Sequence, residues 1–317
     1  MLIIDAYVPA AAREHFRSSA QSAAPGARIL MPPTREDAVA QAPEAEVAAG
    51  WSVPAGVLER GARLDWIHAF TAGVDQFVGL PGIRDGRVML TRTVGAHVAL
   101  PGHVMALILA FARRLHVDIR RQVNREWDRP AGIGEDVAGK VLGILGLGQI
   151  GKPLAARAAA FGLRVIGTKR TPAPVPHVDE VLPPDRTEDL LREADFVVAL
   201  LPLTPKTRGR LGEREFRLMK PSAFFINVSR GPIVQEPALI RALREGWIAG
   251  AGLDVFDAEP LPGDHPLYDF PQVIITPHVS GITPKFFERI ASVFADNIRR
   301  YITGEPLANV IDIARGY

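Results

Sequence analysis

A glycine-rich turn in the middle of the chain fixes more of the architecture than any other segment. The apolar run Val141–Leu145 leads into Gly-Leu-Gly-Gln-Ile-Gly, and an alanine-rich stretch, Leu154–Phe161, follows. In a strand, turn and helix of this kind, Gly146 permits the tight turn, Gly148 lets a pyrophosphate approach the backbone, and Gly151 lets helix and strand pack closely. The N-terminus of the helix also offers N–H groups and partial positive charge to phosphates. The segment therefore predicts dinucleotide binding; a turn without a ligand is the alternative.

The rest of the 317-residue chain alternates short apolar runs with helical patterns. This alternation is typical of α/β proteins with parallel sheets, and the length suits about two domains. Several runs are apolar on both faces, as expected where helices cover both sides of a sheet. The predicted strands are Leu2–Ile4, Val47–Ala49, Trp66–Ala69, Val141–Leu145, Arg164–Ile166, Phe196–Ala199, Ala223–Asn227 and Val273–Ile275.

Two longer segments have helical patterns. Leu100–Trp127 carries Pro101 near its start, where a missing N–H costs little, and it separates a first α/β unit from a second. Pro284–Tyr301 carries an apolar face and could pack on the second unit or cross back to the first.

Composition excludes several classes of function. Basic residues (37) and acidic residues (35) nearly balance, and no run of Lys or Arg suggests a nucleic-acid patch. The absence of cysteine excludes disulfides, thiolate metal sites and cysteine nucleophiles, and it fits a reducing compartment. No apolar run approaches the roughly 18 residues of a membrane span, and the start of the chain suits a buried strand better than a signal peptide. We expect a soluble cytoplasmic protein without a metal site.

The residues after the second strand of the nucleotide-binding segment bear on the choice of dinucleotide. An NAD enzyme usually places Asp or Glu about 20 residues beyond the glycines, where it holds the ribose 2′-OH. No acidic residue occurs over residues 151–178, and Thr168, Lys169 and Arg170 follow the strand Arg164–Ile166. A guanidinium fork and an ammonium would bind a 2′-phosphate, which a carboxylate would repel. The trio favours NADP(H), with NAD(H) possible; two exposed basic residues after a strand are the alternative.

Three further segments complete a recognisable pattern. They are Asn227–Gly231 (NVSRG), Gly252–Pro262 (GLDVFDAEPLP) and Thr276–Gly281 (TPHVSG). With the glycine turn, they make the chain similar to the D-isomer-specific 2-hydroxyacid dehydrogenase family, and within it to glyoxylate/hydroxypyruvate reductases. The resemblance covers most of the chain and is most specific over residues 141–281. In the N-terminal part it is looser and depends chiefly on Thr71–Asp75.

The resemblance implies two doubly wound parallel-sheet domains with the active site in the cleft between them. Residues 1–99 and 286–317 would form a flavodoxin-like substrate domain, and residues 100–285 a Rossmann dinucleotide-binding domain. It implies a homodimer built largely through the Rossmann domains, with the helix after Leu100 as a dimerisation element. The implied activity is hydride transfer between NADP(H) or NAD(H) and a small 2-keto or 2-hydroxy acid. Glyoxylate, hydroxypyruvate or a related 2-keto acid would be reduced to the D-2-hydroxy acid.

The family also implies a catalytic triad, which falls here on Arg230, Glu259 and His278. An arginine can hold a carboxylate through two bonds and polarise the neighbouring carbonyl. An imidazole titrates near neutral pH and can deliver a proton to the developing oxyanion, and a carboxylate beside it favours the imidazolium form. Taken singly, each residue is ambiguous: a surface arginine at a strand end, a solvated glutamate or a capped turn histidine.

Other implied cofactor contacts are less specific. Asp254 ends a small-residue strand and resembles the acceptor for the nicotinamide carboxamide, with a helix or turn cap as the alternative. Leu200–Thr204 resembles the loop on the adenine side, and Thr207 the threonine that closes over it; a loop hydroxyl in solvent is the alternative. The predicted cofactor-binding residues are Gly146, Gly148, Gln149, Ile150, Gly151, Thr168, Lys169, Arg170, Leu201, Pro202, Thr207, Val228, Ser229, Asp254 and Gly281.

The predicted substrate contacts, besides Arg230, lie in the first domain. Ala72 and Gly73 follow a strand, and their backbone N–H groups could meet the substrate carboxylate, which Gly73 lets approach closely. Trp51 and Phe70 would face the same cleft and favour a substrate with an apolar or aromatic side chain; both could equally be core aromatics.

One departure from the family pattern is Pro101–His103, where many members carry an acidic triplet. It weakens the match to any particular subgroup, and His103 is predicted to be structural. Within the family, the alternative is an NAD-dependent D-2-hydroxyacid or phosphoglycerate dehydrogenase, although an end at Tyr317 leaves no room for the regulatory domain common in the latter. A dinucleotide-sensing, corepressor-like binding protein is the alternative of another class, since such proteins can retain the triad.

Overall fold

A computed structural model of the chain describes residues 2–4, 8 and 10–313. The chain divides into two compact units, residues 1–97 with 283–317 (unit 1) and residues 98–282 (unit 2). Residues 1, 5–7, 9 and 314–317, which belong to the predicted substrate domain, lie outside the described residues.

Unit 1 is built on a parallel sheet. Its described strands are β1 (Leu2–Ile4), β2 (Ile29–Leu30), β3 (Val47–Gly50), β4 (Trp66–Ala69) and β5 (Met89–Arg92), and its first helices are α1 (Ala10–Ala23), α2 (Arg35–Gln41) and α3 (Ala55–Arg60). The order β2-β1-β3-β4-β5 is that of flavodoxin-like doubly wound sheets. The sequence prediction missed β2 and β5, because β2 is two residues long and β5 is an edge strand with mixed polarity.

Unit 2 holds a larger parallel sheet. Its helices are α4 (Leu100–Ala112), α5 (Leu115–Asn124), α6 (Gly151–Ala160), α7 (Thr187–Glu193), α8 (Glu213–Leu218) and α9 (Glu236–Arg244), and its strands are β6 (Val141–Leu145), β7 (Arg164–Thr168), β8 (Glu180–Leu182), β9 (Phe196–Ala199), β10 (Phe224–Asn227), β11 (Gly250–Leu253) and β12 (Val273–Ile275). The spatial order of the strands is β12-β11-β10-β9-β6-β7-β8. The chain adds β7 and β8 on one side of β6 and then crosses to add β9 to β12 on the other side, so the order of connection reverses between β6 and β9. In such sheets, ligands bind at the carboxyl ends of the strands beside this reversal. The predicted α/β class is confirmed.

The last helix, α10 (Phe286–Thr303), returns the chain to unit 1. Phe286, Ile290, Phe294 and Ile298 recur every four residues and are buried in the core that contains α1 and β4. Of the two positions that the sequence left open for this helix, the structure therefore has the one on the first unit. Within the described residues, no helix combines the length and the apolar character needed to cross a bilayer.

The segment predicted as one helix from residue 100 to residue 127 is two. α4 ends at Ala112, and Arg114 adopts a left-handed conformation with φ 55° before α5 begins at Leu115. The prediction of one continuous helix was wrong because the break contains neither Gly nor Pro, the residues that normally announce one. Arg120 then ties α5 to the sheet, since its Nη2 donates a hydrogen bond to the carbonyl oxygen of Val273 (2.9 Å).

β4 carries a fully buried histidine. Trp66 Nε1 donates to Thr91 Oγ1 (2.8 Å), and that oxygen lies 2.7 Å from His68 Nδ1. His68 Nε2 lies 3.2 Å from Thr93 Oγ1, which donates to the carbonyl oxygen of Ala69. A neutral imidazole protonated at Nε2 satisfies every donor along this path. Burial lowers the pKa of His68 to about 3, so its imidazole is neutral in the folded protein at neutral pH.

Candidate active site

The carboxyl edge of the unit 2 sheet gathers most of the predicted site residues. Because all these strands are parallel, the residues that follow them emerge at the same edge. In sheet order, they are Thr276–Gly281 after β12, Asp254–Glu259 after β11, Val228–Arg230 after β10, Leu201 and Pro202 after β9, Gly146–Gly151 after β6, and Lys169 and Arg170 after β7.

The glycine turn has the geometry that a pyrophosphate requires. Gly146 has φ 112°, and a Cβ on it would lie 2.8 Å from the carbonyl oxygen of Leu200. A Cβ on Gly151 would lie 2.4 Å from the carbonyl oxygen of Gly146, so helix α6 can start here only with glycine. Gly148 is exposed and has no atom within 4 Å of its Cβ position. The exposed Gly148 and Gln149, with Ile150 before the first turn of α6, thus leave space for a phosphate group at a helix N-terminus.

The basic residues after β7 lie beside this turn. Leu147 N donates to the carbonyl oxygen of Thr168 (2.9 Å), and a Cβ on Gly167 would come within 2.7 Å of Leu147. Thr168 is buried, Lys169 is half-buried and Arg170 is exposed. The neighbouring strand end therefore presents cationic side chains next to the turn.

The loop after β9 is organised by Thr207. Its hydroxyl donates to the carbonyl oxygen of Pro202 (2.6 Å) and accepts from the backbone N–H of Thr204 (2.8 Å). The hydroxyl is therefore not free in solvent, because its hydrogen bonds to Pro202 and Thr204 stabilise the conformation of the loop. Leu201 and Pro202 stay partly exposed at the strand end.

The loop that carries Arg230 is held by Asn227, a residue that the predicted site did not include. Asn227, almost fully buried, accepts from Ser229 N (3.1 Å) and Ser229 Oγ (2.8 Å), and its Nδ2 donates to the carbonyl oxygen of Arg230 (3.1 Å). Val228 is buried, whereas Ser229 and Arg230 are half-buried after the strand end. A Cβ on Gly231 would come 2.0 Å from the backbone of Phe256, so the loop packs directly on the segment that leads to Glu259.

Glu259 and His278 form a hydrogen-bonded pair. His278 Nδ1 lies 2.7 Å from Glu259 Oε2, and Glu259 Oε1 accepts from Phe256 N (3.0 Å). Burial raises the pKa of Glu259, but the bonds from His278 and Phe256 N and the charges of His278 and Arg230 outweigh it and hold this pKa below its ordinary value. The carboxylate is therefore ionised beside the imidazole, and the charge of Arg230 favours this ionised form.

The turn that carries His278 has an unusual backbone conformation and is hydrogen-bonded to the buried Asp254. His278 has φ 55°, in the left-handed region, which non-glycine residues rarely adopt. Asp254, which is 0 % exposed, accepts from Val279 N (2.9 Å) and Ser280 N (3.0 Å). Asp254 therefore caps this turn, the alternative that the sequence left open for it. Gly281, buried, follows directly.

The four predicted substrate contacts of unit 1 differ in how far they are exposed. Ala72 and Gly73 are half-exposed after β4, where the carbonyl oxygen of Ala72 accepts from Arg92 Nη1 (3.0 Å). Trp51 is half-exposed and packs edge-on against Phe70 (5.1 Å between ring centroids). Phe70 is 0 % exposed, which agrees with the core role that the sequence left open and leaves it no surface for a substrate.

No cluster of three or more His, Asp or Glu side chains in the described part of the chain is placed to hold a metal ion.

The comparisons with known proteins identify the family. Residues 105–280 match the family described as D-isomer specific 2-hydroxyacid dehydrogenase, NAD binding domain. The chain is 37% identical to a glyoxylate reductase of Thermococcus gammatolerans over 257 residues, 78% of this chain and 76% of that protein. It is 34% identical to a D-3-phosphoglycerate dehydrogenase of Methanocaldococcus jannaschii over 284 residues, 88% of this chain but 54% of that longer protein.

A solved structure is similar over the full length. It is the NADPH-dependent glyoxylate/hydroxypyruvate reductase of Sinorhizobium meliloti in complex with NADP and sulfate, which superposes with a TM-score of 0.86, 28% identity and coverage of 100% of this chain and 99% of that one. The resemblance seen in the sequence is thereby confirmed. The chain belongs to the D-isomer-specific 2-hydroxyacid dehydrogenase family.

Proposed function

We propose that the protein reduces a small 2-keto acid, such as glyoxylate or hydroxypyruvate, to the D-2-hydroxy acid with NADPH. The observation that carries this proposal is the pair of Glu259 and His278, 2.7 Å apart, with the charge of Arg230 favouring the ionised carboxylate of Glu259. An anion-binding group and an acid–base pair in one place are what the reduction of a keto acid requires. The names of the glyoxylate reductases among its relatives support this substrate class.

In this mechanism, Arg230 binds the substrate carboxylate and polarises the adjacent carbonyl. The glycine turn and the start of α6 would hold the dinucleotide, which would supply the hydride when bound. The bond from His278 Nδ1 to Glu259 leaves Nε2 to hold the proton that the carbonyl oxygen takes up. Glu259 stays anionic and stabilises the imidazolium before this transfer, and its second oxygen is fixed by Phe256 N.

We propose NADP(H) as the preferred cofactor, with NAD(H) as a poorer one. Lys169 and Arg170 beside the glycine turn support binding of a 2′-phosphate, and the similar S. meliloti enzyme is described as NADPH-dependent. Lys169→Ala combined with Arg170→Ala should lower kcat/KM for NADPH by about tenfold or more, as loss of charge-assisted bonds predicts, and change that for NADH little. If both cofactors lose equally, the two residues do not discriminate between them.

We further propose that unit 1 supplies the substrate domain, with Ala72, Gly73 and Trp51 as contacts, and that the protein works in the cytoplasm. The half-exposed backbone after β4 supports this role for Ala72 and Gly73, because N–H groups there can bind a carboxylate.

A homodimer is proposed from the exposed face of α5. Leu115, Ile119 and Val123 are spaced four residues apart on α5 and are 47%, 60% and 79% exposed, and Trp127, just beyond the end of the helix, is 96% exposed. Such an apolar stripe is typical of an interface, and a second copy of the chain is the partner we propose. Val123→Glu should give a monomer in light scattering, whereas Gln122→Glu, one residue away on α5, should not.

Phosphoglycerate dehydrogenase activity is the second candidate, supported by the M. jannaschii relative. The chain spans only about half of that protein, so this support is weaker. A corepressor-like sensor is the alternative without turnover.

A substrate panel tests the proposal. NADPH oxidation is followed with glyoxylate, hydroxypyruvate, pyruvate, 2-ketoisocaproate and phenylpyruvate, then repeated with NADH; oxidation of 3-phosphoglycerate tests the second candidate. We expect the keto acids to be reduced and NADPH to be used better than NADH. Binding of NADPH without turnover of any substrate would favour the sensor instead.

His278→Ala tests the catalytic assignment. Loss of a general acid should lower kcat by roughly a hundredfold or more while the Kd for NADPH stays unchanged. His15→Ala, at an exposed helical histidine outside the proposed chemistry, is the matched control. A wild-type kcat in His278→Ala removes His278 from the mechanism.

A further inference from the structure

The buried carboxylate below the catalytic turn takes its hydrogen bonds from both sides of His278. Asp254 Oδ1 accepts from Thr276 Oγ1 (2.5 Å) and Val279 N (2.9 Å), and Oδ2 accepts from Ser280 N (3.0 Å). One carboxylate thus accepts hydrogen bonds from the residue two positions before His278 and from the two residues after it.

His103, on α4, extends this network. Its Nε2 lies 3.3 Å from Thr276 Oγ1. Because Thr276 gives its hydroxyl proton to Asp254, its oxygen can only accept from His103, and Nε2 must therefore carry a proton. Burial lowers the pKa of His103 and outweighs the charge of Asp254, which raises it, so a neutral imidazole with its single N–H on Nε2 fits the site.

The turn needs such support. A left-handed backbone at a non-glycine residue is unfavourable and persists only where the surrounding structure holds it in place. At His278 (φ 55°), the hydrogen bonds that Val279 N and Ser280 N donate to Asp254 hold the backbone in this conformation. The direction of the imidazole depends on the same backbone.

We propose that Thr276 and His103 are positioning residues for the reaction: they fix Asp254, and through it the left-handed turn that aims His278 at the substrate carbonyl. This inference rests on the proposed role of His278 as proton donor. It makes Asp254 a support of the turn, since its two oxygens accept three bonds from the turn and it is 0 % exposed.

Two pairs of variants test the inference. Thr276→Val removes the hydroxyl and Thr276→Ser retains it, while His103→Leu removes the donor and His103→Gln retains an N–H. In Thr276→Val and His103→Leu, kcat should fall about ten- to a hundredfold through misplacement of the reacting group. KM and the Kd for NADPH should change by less than about twofold, because ground-state binding is untouched. The Ser and Gln variants should recover most of kcat.

A second readout does not need turnover. The Cε1–Hε1 NMR resonance of His278, assigned by its loss in His278→Ala, should be a single peak in the wild-type protein without cofactor. It should broaden or double in Thr276→Val and return to one peak in Thr276→Ser.

The outcomes separate the inference from the proposed function. A wild-type protein without activity on any keto acid overturns the proposed function, and the NMR comparison then still decides whether Thr276 orders the turn. An active wild type whose Thr276→Val variant keeps both kcat and the sharp resonance overturns the inference alone. A raised Kd for NADPH with an unchanged resonance also overturns it, because Asp254 would then serve the cofactor.

Discussion

Two glycines three residues apart in the same turn allow the binding site and the scaffold to be perturbed separately. Gly148 faces open space, with no atom within 4 Å of its Cβ position, and its φ is not in the left-handed range. Gly151 faces the turn itself, where a Cβ would stand 2.4 Å from the carbonyl oxygen of Gly146. Gly148→Ala should therefore leave the fold intact and obstruct the phosphate, whereas Gly151→Ala should damage the fold.

The magnitudes follow from these contacts. Loss of one hydrogen bond to a charged phosphate costs about 1.5–3 kcal/mol, so the Kd for NADPH should rise about ten- to a hundredfold in Gly148→Ala. Its Tm should change by less than about 2 °C, because an isolated exposed methyl group changes stability by about 0.5 kcal/mol or less. Overpacking in Gly151→Ala should cost about 1–3 kcal/mol, which in a domain of this size lowers Tm by roughly 2–12 °C.

Fluorescence titration with NADPH and calorimetry of the protein without cofactor measure the two effects. Gly148→Ala with a wild-type Kd would show that no phosphate approaches this backbone, and the reasoning from the turn would fail. A fall in its Tm as large as that of Gly151→Ala would show that the space beside Gly148 is not open.

Three further predictions concern the charged and buried groups. Because the pKa of Glu259 is lowered in the folded protein, the ionised carboxylate beside His278 should be present above the ordinary glutamate range and be lost only as the pH falls through this lower pKa, which gives the kcat/KM profile an acid limb. Glu259→Gln should lower kcat about ten- to a hundredfold and abolish this acid limb. A Glu259→Gln profile that keeps the limb would assign it to another group. Arg230→Lys should raise KM for the keto acid and lower kcat, because an ammonium lacks the planar fork; steady-state kinetics that match the wild type would exclude bidentate binding. The pKa of His68 is lowered to about 3, so below about pH 6.5 the imidazole binds a proton in the unfolded chain but not in the folded one. The folding equilibrium constant should therefore fall by up to about tenfold per pH unit from pH 6.5 toward pH 3. Urea unfolding at pH 7, 6 and 5 measures this fall, and an identical pH dependence in His68→Gln would contradict it.

The sequence was sufficient for the α/β class and for the nucleotide-binding turn, because both depend on local patterns. Val141–Leu145 and the glycines after it specify strand, turn and helix within about 20 residues. The elements that were missed carry little local signal: β8 is a three-residue edge strand, and Arg114 turns the chain without glycine or proline.

The support of the proposed catalytic residues could not be predicted, because it depends on contacts between distant segments. Asp254 takes its donors from residues 22 to 26 positions further along, and His103 reaches Thr276 across 173 positions. Asn227 lies inside a quoted motif, yet only its burial and its bonds to the Arg230 loop give it a role. For Phe70, an aromatic residue after a strand suits both a pocket and a core, and packing alone decided.

The contact of Gly231 with Phe256 has a consequence for how such a protein can evolve. With 2.0 Å between a Cβ on one loop and the backbone of the other, a side chain at position 231 is admitted only if the segment carrying Glu259 retreats. The loop of Arg230, the proposed anchor for the substrate anion, and the segment of Glu259, in the proposed proton-transfer pair, are thus mechanically coupled, and neither can shift without the other. Diversification toward new acids must then come through the remaining walls of the binding site, while this joint stays constant.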